Sequence, residues 1–156
     1  VNKPGFQPSL KGRALRLLSQ REHSRAELER KLAPHEEVPG DLAKALDELQ
    51  ARDFINDGRA IESVVHRRSG KWGATRVKQE LVAKGLTGEA VAQALAGLRD
   101  TELSRALEVW RKKFGSPAPD PQTRAKHMRF LLTRGFSADV VRQVVTGAEQ
   151  QGDEAC

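Results

Sequence analysis

The apolar positions of the chain recur at helical spacing, and the recurrence itself repeats. Leu42, Ala45, Leu46 and Leu49 stand at i, i+3, i+4 and i+7, the spacing of one helix face. The same set returns 49 residues on as Val91, Ala94, Leu95 and Leu98, and 50 further as Val141, Val144, Val145 and Ala148. Leu28 and Leu32 shift by 49 onto Val77 and Leu81, and Leu81 shifts by 50 onto Leu131. A small helical unit that cannot bury its apolar face alone gains a core by stacking on copies of itself. The pattern therefore predicts an all-α chain of three tandem three-helix repeats forming an elongated, curved array. The repeats are expected at residues 11–53, 54–100 and 101–149, between a flexible tail at 1–10 and a polar tail at 150–156.

Polar and breaker residues divide each repeat. In the first, Leu15, Leu17 and Leu18 mark a helix over Ala14 to Gln20, and Ser24 with Glu27 makes an S-x-x-E capping box for a second helix to Leu32. Pro34 to Gly40 separates the third. In the second repeat Asp57 is expected to cap a helix through Val64 and Val65, Gly70-Lys71-Trp72-Gly73 to break it, Gly85 to stop the next, and Thr87 to cap the last. Gly135 and Ser137 repeat that stop and cap. Leu103, Leu107, Trp110 and Phe114 form a stripe that opens the third repeat, ahead of a long connector from Gly115 to Pro121.

Composition supports helices over sheet: aromatics are 4% of 156 residues, Tyr is absent, and Ala, Leu, Glu, Arg and Lys dominate. No apolar run has the length of a membrane span, which predicts a soluble, cytoplasmic chain without membrane attachment. Cys156 is the only cysteine, so an intramolecular disulfide is excluded. No sustained heptad seam marks a coiled-coil dimer, and a monomer is expected.

Charge is segregated more tellingly than the net +6 suggests. Counting Lys, Arg, Asp and Glu alone, residues 11–32, 59–84 and 105–134 carry +4, +5 and +6, whereas 33–58, 85–104 and 135–156 carry −5, −2 and −3. The first two helices of every repeat are thus basic and the third acidic. If the repeats stack in similar orientations, the basic pairs line one surface suited to phosphates. Single Lys and Arg residues also solvate helix faces and pair with Glu at helical spacing.

Catalytic chemistry finds no pattern to stand on. His23, His35, His66 and His127 lie at intervals unlike metal-ligand spacing. Gly70-Lys71-Trp72-Gly73 lacks the G-x-x-x-x-G-K-[ST] spacing of a nucleotide loop, and no G-x-S-x-G elbow occurs. The carboxylates fall mainly on predicted acidic faces, where solvation explains them. The expectation is a non-enzymatic protein with no cofactor and no metal.

Several short segments carry a family resemblance. Ala14-Leu15-Arg16-Leu17-Leu18 with Arg21-Glu22-His23-Ser24-Arg25-Ala26-Glu27-Leu28 resembles the opening of RecX proteins. Phe54-Ile55-Asn56-Asp57, Ala60, Gly73-Ala74-Thr75-Arg76-Val77-Lys78-Gln79-Glu80-Leu81 and Lys84-Gly85-Leu86 resemble the central RecX motif, and Arg134-Gly135-Phe136-Ser137 extends the likeness to the third repeat. The resemblance implies a modulator, usually an inhibitor, of the RecA recombinase, one that lies in the groove of the RecA filament and contacts its single-stranded DNA, with weaker contact to double-stranded DNA. Two other readings stand beside it. Three-helix units also imitate sequence-specific helix-turn-helix DNA-binding proteins, and a repeat scaffold can bind an acidic protein with no DNA.

The candidate filament- and nucleic-acid-binding residues are Arg16, Arg21 and Arg25 in the first repeat; Arg67, Arg68, Lys71, Trp72, Arg76, Lys78 and Lys84 in the second; and Arg111, Lys112, Lys113, Arg124, Lys126, Arg129 and Arg134 in the third. Arg76 precedes the core residue Val77, which leaves it either a phosphate or recombinase-carboxylate contact or an internal partner of Glu80. Trp72 suits either a loop anchored to the core or a platform for bases, whereas Trp110 belongs to the apolar stripe. Phe54 is expected to fill the joint between repeats, and Gly85 to take a left-handed helix end.

Overall fold

The computed structural model describes residue 5 and residues 7–154, and its regular elements are helical throughout. In chain order they are α1 (Leu10–Gln20), α2 (Arg25–Leu32), a 3-10 turn (Ala33–His35), α3 (Asp41–Ala51), α4 (Asp57–Arg68), α5 (Ala74–Ala83), α6 (Glu89–Asp100), α7 (Glu102–Lys113), α8 (Pro121–Thr133) and α9 (Ala138–Glu154). The all-α reading holds, and no helix among the described residues is long and apolar enough to cross a membrane. α9 continues past residue 149 to Glu154, and Cys156 lies outside the described residues, as do residues 1–4 and 6 of the predicted N-terminal tail.

The helices form two compact units. The first comprises the described residues up to Ser63 together with Ala83–Leu86; the second comprises Val64–Val82 and the described residues from Thr87 on. In the first unit Ala14, Leu28, Leu32, Leu42, Leu46, Leu49 and Ile55 close one core. In the second, Ala106, Trp110, Leu131, Phe136 and the α9 face Val141, Val144, Val145, Ala148 close another. Val91, Leu95 and Leu98 of α6 are buried as well, so the three repeated stripes all face inward, with Ala45 and Ala94 at their half-buried edges.

Local signals act largely as their chemistry dictates. Ser24 and Glu27 form the full capping box at the start of α2. Gly85 (φ 71°) and Gly135 (φ 86°) take the left-handed conformation that ends α5 and α8, and Ser137 Oγ accepts from the Val140 amide at 3.3 Å.

Four expectations are corrected. Asp57 does not cap its own helix: Asn56 Oδ1 accepts from the Arg59 amide at 3.0 Å, and Asp57 Oδ1 instead accepts from the Arg25 amide at 3.2 Å, serving the first turn of α2. Gly88, not Thr87, stands at the cap of α6, with φ 96° and no side-chain acceptor. Phe54 is 47% exposed because its neighbour Ile55 takes the buried position, at 2%. Leu103 is 45% exposed because the inward face of α7 is Glu102, Ala106 and Trp110, with Glu102 turned in to accept from the Ala74 amide at 2.8 Å.

Candidate nucleic-acid interface

Each unit contains a joint of the same design, in which the first turn of one helix receives the glycine turn that ends another. In the first unit, α2 receives the turn after α5: the Ser24 hydroxyl donates to the Lys84 carbonyl, and Arg30 Nη2 donates to the Ala83 carbonyl at 3.1 Å. A Cβ on Gly85 would stand 2.5 Å from Ala26 Cβ, so only glycine permits this approach. The buried carboxylate of Glu27 lies 2.7 Å from Arg21 Nη2 and 3.5 Å from Lys84 Nζ, and also accepts from the Ser24 amide at 3.2 Å. Burial alone would raise its pKa, but the bonds from Arg21 and Ser24 and the charge of Lys84 outweigh burial and hold it at about 2. His23, 1% exposed, donates from Nδ1 to the Arg21 carbonyl at 2.9 Å and receives Lys31 Nζ on Nε2 at 3.4 Å. Burial lowers its pKa. The first joint is an electrostatically closed network.

The second joint has the same backbone and opposite chemistry. Here α5 receives the turn after α8: the Gly73 amide donates to the Arg134 carbonyl at 2.8 Å, and Arg76 Nη1 donates to the Thr133 carbonyl at 3.3 Å. A Cβ on Gly73 would stand 2.3 Å from the Gly135 carbonyl, and one on Gly135 would stand 2.4 Å from Arg76 Cβ. The shifts of 49 and 50 residues carry His23 onto Trp72, Ser24 onto Gly73, Glu27 onto Arg76 and Lys84 onto Arg134. The acid of the first joint has become a base.

Two guanidinium groups consequently share one ring, with Arg76 Cζ 4.3 Å and Arg134 Cζ 4.9 Å from the centroid of Trp72. The arrangement continues: Arg134 Cζ lies 5.1 Å from the Phe130 ring and Lys113 Nζ 5.5 Å from it. Cation–π attraction gathers these like charges without cancelling them, so their N–H donors are available to an anion. Neither Arg76 nor Arg134 forms an ion pair with a carboxylate among the described residues. Glu80, the internal partner considered for Arg76, takes Arg67 Nη2 at 3.3 Å and Arg68 Nε at 2.9 Å. Arg68, Trp72, Arg76 and Glu80 line an open groove of 570 Å³.

The remaining candidates divide by what they touch. Arg21 and Lys84 hold Glu27; Arg25 pairs with Glu29 at 3.0 Å and Asp47 at 2.6 Å; and Arg124 grips Glu149 through Nε and Nη2 at 2.6 and 2.8 Å. Lys112 lies 3.9 Å from Glu108 at i,i+4. Arg16, Lys71, Lys78, Arg111, Lys113, Lys126 and Arg129 are exposed. The structure therefore brings together Trp72, Arg76, Arg134 and Lys113, with Arg67 and Arg68 at the side of Glu80.

Sequence reasoning overlooked three groups here. Phe130 extends the strip, stacking edge-on with Phe114, itself 3.8 Å from the ring of buried His127. Burial, with the charge of Lys126 as a lesser contribution, lowers the pKa of His127, whose Nδ1 accepts from Trp110 Nε1 at 3.2 Å; Trp110 is core, 5% exposed. Glu102 and Arg105 both reach the 69–74 segment from α7. Glu27 and Glu102 also depart from the expectation that carboxylates lie on solvated faces, each being 5% exposed. The one available signal was positional: the 49-residue shift puts Trp72 opposite a histidine and Arg76 opposite a glutamate.

Models of the first, second and third three-helix domains of RecX match residues 11–49, 56–95 and 100–145. Regulatory protein RecX of Leptothrix cholodnii is 52% identical over 152 residues, covering 97% of this chain and 96% of the relative. That of Ralstonia nicotianae is 46% identical over 149 residues, 94% of each chain. A crystal structure of RecX from Lactobacillus salivarius superposes with a TM-score of 0.75 at 22% identity, over 90% of this chain and 95% of that one, which establishes the shared fold. With its three three-helix domains matched in order and whole-length relatives at this identity, the chain belongs to the RecX family of regulatory proteins.

Proposed function

We propose that this chain is a non-enzymatic regulator of the RecA recombinase, acting as an inhibitor that binds the RecA filament on single-stranded DNA and modulates its ATP hydrolysis, strand exchange and growth. One observation carries the reading: a joint closed by a buried carboxylate in the first unit is rebuilt in the second around two guanidiniums that share Trp72. Like charges so placed cost stability unless an anion from outside neutralises them, and the repeating anion of a filament is the phosphodiester. Arginine suits that ligand because its planar fork donates two parallel hydrogen bonds to phosphate oxygens. Trp72 then serves as the support on which the arginines rest. Arg16, Arg67, Arg68, Lys71, Lys78, Arg111, Lys112, Lys113, Lys126 and Arg129 add weaker contacts spread over the repeats, while Arg21, Arg25, Lys84 and Arg124 contribute mainly through the ion pairs that hold the fold.

The test is the double variant Arg76→Ala/Arg134→Ala, titrated against single-stranded DNA alone and against RecA filaments assembled on it, over a range of salt. Both affinities should fall, the salt dependence should flatten by about two released counterions, and inhibition of RecA ATP hydrolysis should weaken in parallel. Unchanged filament binding and unchanged inhibition at physiological salt would overturn the assignment of the site.

A further inference from the structure

We propose that Arg105 and Glu102, on the first turn of α7, are positioning residues that hold the Trp72 segment in the geometry the paired arginines require; this rests on the phosphate-binding reading of the second joint. Arg105 Nη1 donates to the carbonyls of Ser69 at 2.9 Å and Trp72 at 2.7 Å, Nη2 donates to the Leu98 carbonyl at 2.7 Å, and Nε donates to Thr101 Oγ1 at 3.1 Å. All its bonds go to neutral oxygens, so this half-buried guanidinium acts as a bracket between the loop at 69–72 and the end of α6. On the other side of Trp72, Glu102 Oε1 accepts from the Ala74 amide at 2.8 Å. The segment bearing Trp72 is therefore clamped at both ends by side chains four atoms or more from their own backbone, and Gly73 between them meets Arg134.

The physical demand for such a bracket is specific. Trp72 gathers two cations that repel each other, so any freedom of its loop lets the guanidiniums drift apart and lose the preformed spacing that saves ordering entropy on binding. Lysine at 105 would keep the charge but not the fork: an ammonium reaches one or two carbonyls and cannot span three directions held by a planar group. Arg105 thus differs from Arg16, Arg111 and Arg129, exposed arginines outside the joint, which act by charge and should tolerate lysine.

The experiment is a double-mutant cycle with Arg105→Lys and Trp72→Ala in the full chain, reading affinity for a single-stranded oligonucleotide and the slope of that affinity with salt. Each single variant should bind about fivefold more weakly, the double variant no more weakly than Trp72→Ala alone, and Arg105→Lys should keep most of the wild-type salt slope because no phosphate contact has been removed. Wild-type affinity in Arg105→Lys, or losses that multiply in the double variant, would overturn the positioning role while leaving the second joint intact as a binding site. Wild-type affinity in Trp72→Ala would instead overturn the reading of the joint itself. If Arg105→Lys does not unfold cooperatively at 25 °C, Glu102→Ala takes its place in the same cycle, with the same two outcomes.

Discussion

The two joints share a backbone plan and differ at four positions, and the difference is between a contact closed by an internal ion pair and one in which two cations share a ring. At the first, Glu27 sits among Arg21, Lys84 and the Ser24 amide, every buried polar atom has a partner, and the charge is spent inside the molecule. At the second, arginine replaces the glutamate, tryptophan replaces the histidine, and the cations are gathered by a ring that does not neutralise them. The first joint demonstrates that the contact can be closed with ordinary acid–base chemistry. The second forgoes that closure, and Arg76 and Arg134 are left without a carboxylate partner among the described residues.

The sharpest way to break the comparison is to make the first joint resemble the second. Glu27→Arg would place a third cation against Arg21 and Lys84 with no carboxylate and no ring between them. It should destabilise the protein by about 3–5 kcal/mol, the cost of leaving buried charge unpaired. Urea denaturation measures this, and a loss under about 1 kcal/mol would show that the network is not what closes the joint.

Next in size is Gly73→Ala. Its Cβ would meet the Gly135 carbonyl at 2.3 Å, backbone against backbone, so relief requires the α8 turn to move. A loss of about 1–3 kcal/mol is expected, with weaker DNA binding as Arg134 leaves Trp72. Retained stability together with retained binding would mean that the close approach is not required.

A smaller effect distinguishes the joints by pH. Glu27 has its pKa depressed from 4.5 to about 2 in the folded protein, so its contribution is complete above 4.5 and is lost as pH falls toward 2. His23 and His127, both lowered by burial, also favour folding at higher pH, and their contribution fades below 6.5. Glu27→Gln should flatten the stability profile below 4.5 and leave the histidine region in place. An unchanged profile below 4.5 would remove Glu27 from the account of the first joint.

The smallest expected effect is on the stability of Arg76→Ala/Arg134→Ala, which should change by less than about 1 kcal/mol while nucleic-acid binding falls. Thermal unfolding beside a binding titration checks both. A large loss of stability would make the second joint as structural as the first.

Helices were legible from local chemistry wherever one residue type and one spacing sufficed. The capping box of Ser24 and Glu27, the glycine stops at 85 and 135 and the three apolar stripes all depend on neighbours within two turns. The misreadings share a different cause. Asp57 was free to cap its own helix, but folding offered it the Arg25 amide 32 residues away. Phe54 and Leu103 are apolar, yet Ile55 and Glu102 take the inward positions beside them. Pattern alone cannot rank two adjacent residues for one buried place.

The amino-acid sequence by itself determined the helical class, the three-fold repeat, the segregation of charge and the basic character of the second helices, because hydrophobic period and capping are local properties of the chain. Only the tertiary structure decided which cations are already paired. Arg21, Arg25, Lys84 and Arg124 are as basic in sequence as Arg76 and Arg134, but their carboxylates arrive from elements distant along the chain or across a turn, and Trp72 receives Arg134 only because two glycine backbones meet. Electrostatic pairing depends on distances of a few ångströms between groups that the chain order keeps tens of residues apart, and those distances exist only after packing.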